Sequence, residues 1–223
     1  MPQPAGLNGS AMGPNAPPCP VALLLIDVIN DLDGPESEPV TRFAGPLAEK
    51  IAALKKRAKQ AELPCIYVND NFGRWRSDFR EVVEHCRREG ARCRQLAELL
   101  APDPDDYFVL KPMLSGFFGT ALDPLLRHLG VRTLVLAGLC ANACVLFTAA
   151  DAHMRGYKLW VPSDCVASTT GTECGHALDQ MRRQFKAQVH LSAEIDLVAL
   201  AGRAADRVAV DAGAVLTGEK VAR

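Results

Sequence analysis

The sequence predicts an α/β protein. The expected architecture is a doubly wound, Rossmann-like three-layer sandwich, with a six-stranded, mainly parallel sheet and helices on both faces. Three observations predict it. Six short apolar runs recur along the chain, and stretches of helical period lie between them. The runs are continuously apolar instead of alternating, which is the pattern of strands covered on both sides. Repeated strand–helix alternation then demands right-handed crossovers and a mostly parallel sheet.

In chain order the expected strands are VALLLI (21–26), CIYVN (65–69), DYFVL (106–110), TLVLAG (133–138), YKLWVP (157–162) and AQVHLS (187–192). Among the helices, GPLAEKIAALKKRAKQ (45–60) sets Leu47, Ile51 and Leu54 on one face and lysines on the other. ALDPLLRHLG (121–130) ends in Gly130, a C′ residue. ECGHALDQMRRQFKA (173–187) spaces Leu178, Met181 and Phe185 three and four apart. Residues 1–18, rich in Pro, Gly, Asn and Ala, read as a flexible leader without the basic and apolar regions of a secretory signal. Residues 19–200 form one domain, and 201–223 read as a loose helix or disordered tail. No internal repeat or heptad pattern is present.

The 223 residues carry 25 basic and 26 acidic side chains. No basic excess serves a nucleic-acid groove or an anionic membrane surface, so neither partner is expected. Eight cysteines, several inside apolar runs as Cys65 is, suit reduced thiols in a cytoplasm better than a secreted disulfide scaffold. From Thr133 to Ala150 the chain runs 18 residues without a charge, close to membrane-spanning length. Gly138 and Asn142 interrupt that run, and a buried strand, turn and helix explain it as well.

Sites in such sheets gather beyond the carboxyl ends of the strands. That rule selects Asp27 after the first strand, Asn69 and Asp70 after the second, Lys111 after the third, and the 138–144 turn after the fourth. Cys144 opens a helix, where free backbone N–H groups and the helix dipole favour thiolate. A nucleophilic cysteine also needs a proton acceptor and a cation or donors for an oxyanion, which Asp27 and Lys111 could supply. Each residue has a plain reading too: buried packing for Cys144, an N-cap for Asp27, a solvated strand end for Lys111. Spacing alone does not choose between them.

Three motifs, in order, resemble the isochorismatase-like cysteine hydrolase superfamily, which includes nicotinamidases, carbamoylsarcosine amidohydrolases and isochorismatases. They are LLLIDVINDL, VLKPMLSGFFGTALDPLLRHLGV and LVLAGLCANACVLFTAADAHMRGYKLWVPSDCVAS, and the resemblance spans about residues 20–192. It implies the fold already read from the pattern and an Asp27–Lys111–Cys144 triad. The implied chemistry is covalent amide or C–N hydrolysis of a small polar molecule through a thioester. It also implies a cis peptide at Cys140–Ala141 in an oxyanion turn, and a homo-oligomer, dimer or tetramer. Where the family commonly has Thr in that turn, GLCANACV has Ala141, so a hydroxyl is lost while backbone donors remain. Cys140, four residues before Cys144, is a possible disulfide partner or competing thiol.

Nicotinamidases carry an Asp-x-His and a later His after the second strand, which bind a metal. Here that place reads VNDNFGRWRSDF, and no histidine occurs between residues 19 and 84. His85 and Cys86 are adjacent on an expected helix and point apart, which is poor ligand geometry. No metal and no other cofactor is expected. Asn69, Asn71, Phe72, Arg74, Trp75 and Arg76 are instead expected to hold a carboxylate or ureido substrate, unless they form a solvated loop. Phe117 and Phe118, after Lys111, are expected to wall the pocket, and His153 is expected to be structural. Two rival functions are a vinyl-ether hydrolase of isochorismatase type and a non-catalytic oligomeric binding module; the latter has no use for the triad.

Overall fold

The computed structural model describes residues 19–30, 37–71, 79–89 and 94–202. Five strands lie side by side in the order β3–β2–β1–β4–β5, all parallel: β1 (Val21–Ile26), β2 (Cys65–Asp70), β3 (Tyr107–Lys111), β4 (Thr133–Leu139) and β5 (Lys158–Trp160). β6 (Val166–Ala167) continues the same edge of β4 beyond β5, pairing with Gly138 and Leu139. β1 and β4 are the central strands, and every residue of both is buried.

Side-chain alternation along β1 divides the core in two. Val21, Leu23 and Leu25 face α1 (Ser37–Gln60), α2 (Phe79–Cys86) and α3 (Arg94–Leu99). Ala22, Leu24 and Ile26 face α4 (Leu122–His128), α5 (Leu146–Met154) and α6 (Gly171–Gln184). Leu47, Ile51 and Leu54 form the buried stripe of α1. α4 closes as its C′ glycine suggests: Gly130 N–H donates to Arg127 O and Val131 N–H to Leu126 O, the paired bonds of a Schellman end. Thr170 and Glu173 cap the start of α6 reciprocally.

The structure corrects two expected elements. α1 begins eight residues before the expected start at Gly45, at Ser37. The expected strand 187–192 is reduced to one bridge, Gln188 to Trp160. Asp164 ends that pairing, because its carboxylate accepts from both the N–H and the hydroxyl of Ser192 and turns the chain into Ser192–Glu194. β6 takes the sixth place in the sheet. The uncharged run 133–150 divides into β4, a turn and α5. Among the described residues, no helix is long and apolar enough to cross a membrane.

Candidate active site

The order in which strands are added reverses between β1 and β4, although the strands themselves stay parallel. β1 leads through β2 to β3 under one helical layer, whereas β4 leads to β5 under the other. A doubly wound sheet opens its crevice at such a point. Asp27 leaves β1 there with φ 51, a left-handed conformation that Asp tolerates better than most residues. Its N–H stays tied to Val68 O at 2.9 Å. Its carboxylate accepts the Asp70 N–H at Oδ1 (2.8 Å) and meets Lys111 Nζ at Oδ2 (2.9 Å). Lys111 ends β3, opposite Asp70 in the β2–β3 register, and its stem spans the end of β2 to reach Asp27. The same Nζ lies 3.4 Å from Cys144 Sγ.

Cys144 arrives by way of Gly138, whose φ is +136. A Cβ at Gly138 would stand 1.9 Å from Ile26 O, so only glycine lets β4 pass this close to the end of β1. The chain then makes a π-helical turn, Ala141–Val145, before α5. Such wide turns are frequent at functional sites. The expected cis peptide at Cys140–Ala141 is absent: no cis bond occurs among the described residues. In the trans form the Cys140 carbonyl accepts from both Ala143 and Val145 N–H groups, which closes the turn. Asn142 N–H donates to Ser168 Oγ (3.2 Å), anchoring the turn to the loop after β6.

Burial dominates the electrostatics. Asp27 is 4% exposed and Lys111 is 0% exposed. Loss of water holds the Asp27 carboxyl above the usual carboxylate range, although Lys111, Cys144 and Asp70 N–H all favour its charged form. Burial pulls Lys111 down, but Asp27, the Cys144 sulfur and Asp70 outweigh it and hold the ammonium above its ordinary value. Burial and the Asp27 charge push the Cys144 thiol up to about 12, with Lys111 pulling it back only in part. Burial therefore outweighs the pull toward thiolate expected from the helix start. The Cys144 thiol is thus held toward its neutral form beside the Asp27 carboxyl.

The remaining candidates are placed differently. Asn69 is 1% exposed and donates from Nδ2 to Ile29 O at 2.6 Å, fixing the loop that follows Asp27. Asn71 is buried, and its N–H holds Lys111 O at 3.0 Å. Ala141 is buried in the core and Cys140 is half-buried at the head of the turn. Phe72, Arg74, Trp75 and Arg76 lie outside the described residues. Phe117 does not wall the site. It packs 6.0 Å from the Tyr157 ring with the Arg155 guanidinium over its face, at the end of α5 remote from Cys144. Phe118 is exposed, and His153 lies against Phe185 on the surface of α5.

The sequence placed Asp70 at the site without giving it a role, and it offered no signal for Ser115, Gly116, Thr148 and Asp151, which also hold this arrangement. Asp70 touches two triad members, and its only signal was a place beside Asn69 at the strand end. Ser115, in the SGFFGT stretch read for its phenylalanines, donates to Asp151 Oδ2 on α5. Gly116 N–H donates to Thr148 Oγ1 (3.0 Å), so the loop after Lys111 is pinned along the helix after Cys144. Among the described residues, the one group with metal-ligand spacing is Asp103, Asp105 and Asp106. It precedes β3, away from the triad, and Lys55 and Lys59 pair with its carboxylates. A cavity of about 340 Å³ opens between α1 and the start of α6; its walls include Leu47, Lys50, Val166 and Ser168 but no triad residue.

Comparison with known proteins agrees with this architecture. The Isochorismatase domain matches residues 21–194. The uncharacterized isochorismatase family protein YaaI of Bacillus subtilis (strain 168) is 37% identical over 174 residues, covering 78% of this chain and 95% of that protein. Ureidoacrylate amidohydrolase RutB of Methylorubrum extorquens is 30% identical over 136 residues, which is 51% of this chain and 54% of RutB. The crystal structure of N-carbamoylsarcosine amidase from Thermoplasma acidophilum superposes with a TM-score of 0.60 at 30% identity, covering 79% of this chain and 98% of that one. With a domain match across most of its length and a relative covered almost end to end, the chain belongs to the isochorismatase family.

Proposed function

We propose that the protein is a metal-independent cysteine hydrolase that cleaves an amide or other C–N bond of a small polar substrate through a thioester on Cys144. One observation carries this reading: Lys111 Nζ lies within reach of both Asp27 (2.9 Å) and Cys144 (3.4 Å). Asp27, raised by burial, takes the thiol proton as sulfur attacks the carbonyl carbon. Lys111 and the backbone N–H groups of Ala141 and Cys144 receive the oxyanion. The tetrahedral adduct collapses as Asp27 returns its proton to the leaving nitrogen. Asp27 then deprotonates a water that attacks the thioester, releasing the acid and restoring the thiol. The ureide and carbamoyl amide named for two relatives make those compound classes the first substrates to try.

A small-molecule substrate, without nucleic acid, fits the near-neutral net charge of −1. Cysteines set inside apolar runs, as the buried Cys65 is, support work in a reducing cytoplasm. The chain is further proposed to act as a homo-oligomer, dimer or tetramer.

The test is a screen for ammonia release from amides, ureides and carbamoyl compounds, with intact-protein mass recorded under turnover. Wild type should show an acyl adduct on Cys144. Cys144→Ala should fold and lose about 10⁴-fold or more in turnover. Chelator dialysis should leave the wild-type rate unchanged. Full activity in Cys144→Ala would sink the thioester route, and a rate lost to chelator and restored by metal would sink metal independence.

A further inference from the structure

Lys111 is fully buried, and three described polar groups face it from three elements. They are Asp27 Oδ2 at the end of β1 (2.9 Å), Cys144 Sγ in the π-helical turn (3.4 Å) and Asp70 Oδ2 at the end of β2 (3.8 Å). The first two change charge during the proposed reaction. Asp27 becomes neutral when it takes the thiol proton, and sulfur becomes anionic and then acylated. Asp70 exchanges no proton in that sequence, so its carboxylate is the constant counter-charge. Asp70 also sets Asp27's orientation through a hydrogen bond, because its own N–H donates to Asp27 Oδ1 at 2.8 Å. The β2–β3 register sets Asp70 directly opposite Lys111, so neither contact depends on a mobile loop.

We propose that Asp70 is a positioning residue: its N–H orients the Asp27 carboxylate while its side chain holds the Lys111 ammonium in line with Cys144. The inference rests on the hydrolase reading but concerns a residue outside the triad. The two functions of Asp70 are separable. Asp70→Asn keeps the backbone N–H and the side-chain shape and removes the charge alone. The lost anion had favoured protonated Lys111 and opposed ionised Asp27. Both groups should therefore titrate at lower pH in the variant. A carboxylate at this distance moves a neighbour by one to three units when buried, and 39% exposure of the Asp70 side chain puts the expected shift at about one unit.

The experiment measures iodoacetamide alkylation of Cys144 against pH, read as adduct mass on the Cys144 peptide, so it needs no substrate. Alkylation requires Asp27 ionised to take the thiol proton, so its acid limb reports Asp27. In Asp70→Asn that limb should move about one unit to lower pH. In Asp70→Glu, which restores the charge, it should return most of the way. Where a substrate is in hand, kcat at neutral pH should fall about tenfold or more in Asp70→Asn, with KM changed less. Melting curves on the same preparations verify folding, and Asp70→Ser serves as the charge-free variant if Asp70→Asn does not fold. An alkylation profile of the charge-free variant that superimposes on wild type overturns the proposal, as does an equal shift in Asp70→Glu. Absence of an acyl adduct in turnover would instead strike the hydrolase reading and leave the alkylation result standing.

Discussion

At the scale of single residues, the centre of the site is two buried opposite charges beside a thiol held neutral. Such an arrangement costs stability, because burial outweighs the ion pair at Asp27 and raises its pKa. The sign of the linkage follows. A carboxyl raised in the folded state contributes stability below its unfolded value near 3.8 and loses it as pH rises through the folded value. Activity runs the other way, since only ionised Asp27 can take the thiol proton. As pH rises through this window, turnover should increase while the Tm difference between Asp27→Asn and wild type moves in favour of the variant. Asp27→Asn and Lys111→Met should each lower kcat by about 10²–10⁴-fold with a smaller effect on KM, and their double variant should lose little more than either alone. Two well-folded single variants with near wild-type kcat would remove these residues from the mechanism. Asp27, Lys111 and Cys144 were legible as residues because each sits at or just past a buried apolar run, where sheet topology gathers function. Phe117 was misplaced because nothing in its sequence neighbourhood reveals that Ser115 and Gly116 bind to α5 and carry the loop down that helix. The strength of burial at Cys144 was hidden for a related reason: a helix start can be read locally, but the enclosure of the site arises from three separate strands.

At the scale of elements, the ends of the strands do the positioning. Asp27, Asp70, Lys111 and the turn after Leu139 all stand at carboxyl ends of parallel strands, and their mutual distances are fixed by register. Gly138 is the tightest point in that frame. Alanine there meets Ile26 O at 1.9 Å and keeps a φ of +136, so β1 and β4 must separate beside Asp27 and Cys144. Gly156 provides the control: its φ is +83, but nothing lies within 4 Å of an added Cβ. Gly156→Ala should cost about 1–2 kcal/mol of backbone strain and leave kcat near wild type. Gly138→Ala should cost clearly more, lowering Tm further, and should reduce kcat in whatever fraction folds. Equal melting temperatures for the two variants would show that β4 can yield without disturbing β1. Strand positions 21–26, 65–69 and 133–138 were readable to within a residue because covered strands leave uninterrupted apolar runs, and 106–110 was readable although β3 is a half-covered edge strand. The 187–192 segment misled for want of a long-range fact, the capture of Ser192 by Asp164. The early start of α1 was obscured by Pro46 and Gly45, which read as a helix boundary.

At the scale of the whole molecule, the question is what covers the layer behind Cys144. Several large apolar side chains are left in water, and five of them sit on two neighbouring segments: Met113, Leu114 and Phe118 in the loop after β3, and Phe147 and Met154 on α5. Phe147 and Met154 are seven residues apart and so share one face of the helix. The bonds from Ser115 to Asp151 and from Gly116 to Thr148 bind the loop to that helix, so the five side chains sit on two segments pinned together. Phe118 is 61% exposed and Met154 is 74% exposed, far beyond what isolated packing requires. Exposed apolar side chains grouped on neighbouring segments are the kind of surface that serves as an interaction site when contiguous. A second copy of the chain is the expected occupant, since the same face on two subunits is self-complementary about a twofold axis. Light scattering behind size-exclusion chromatography should give a dimer or tetramer for wild type. Phe118→Glu with Phe147→Glu should shift it toward monomer, since a central aromatic contributes about 2 kcal/mol or more, roughly thirtyfold in Kd for each one lost. Neither residue touches Asp27, Lys111 or Cys144, so alkylation of Cys144 in the dissociated variant reports whether the subunit alone maintains the triad. A monomeric wild type at high protein concentration would show that this face serves a partner other than a second copy.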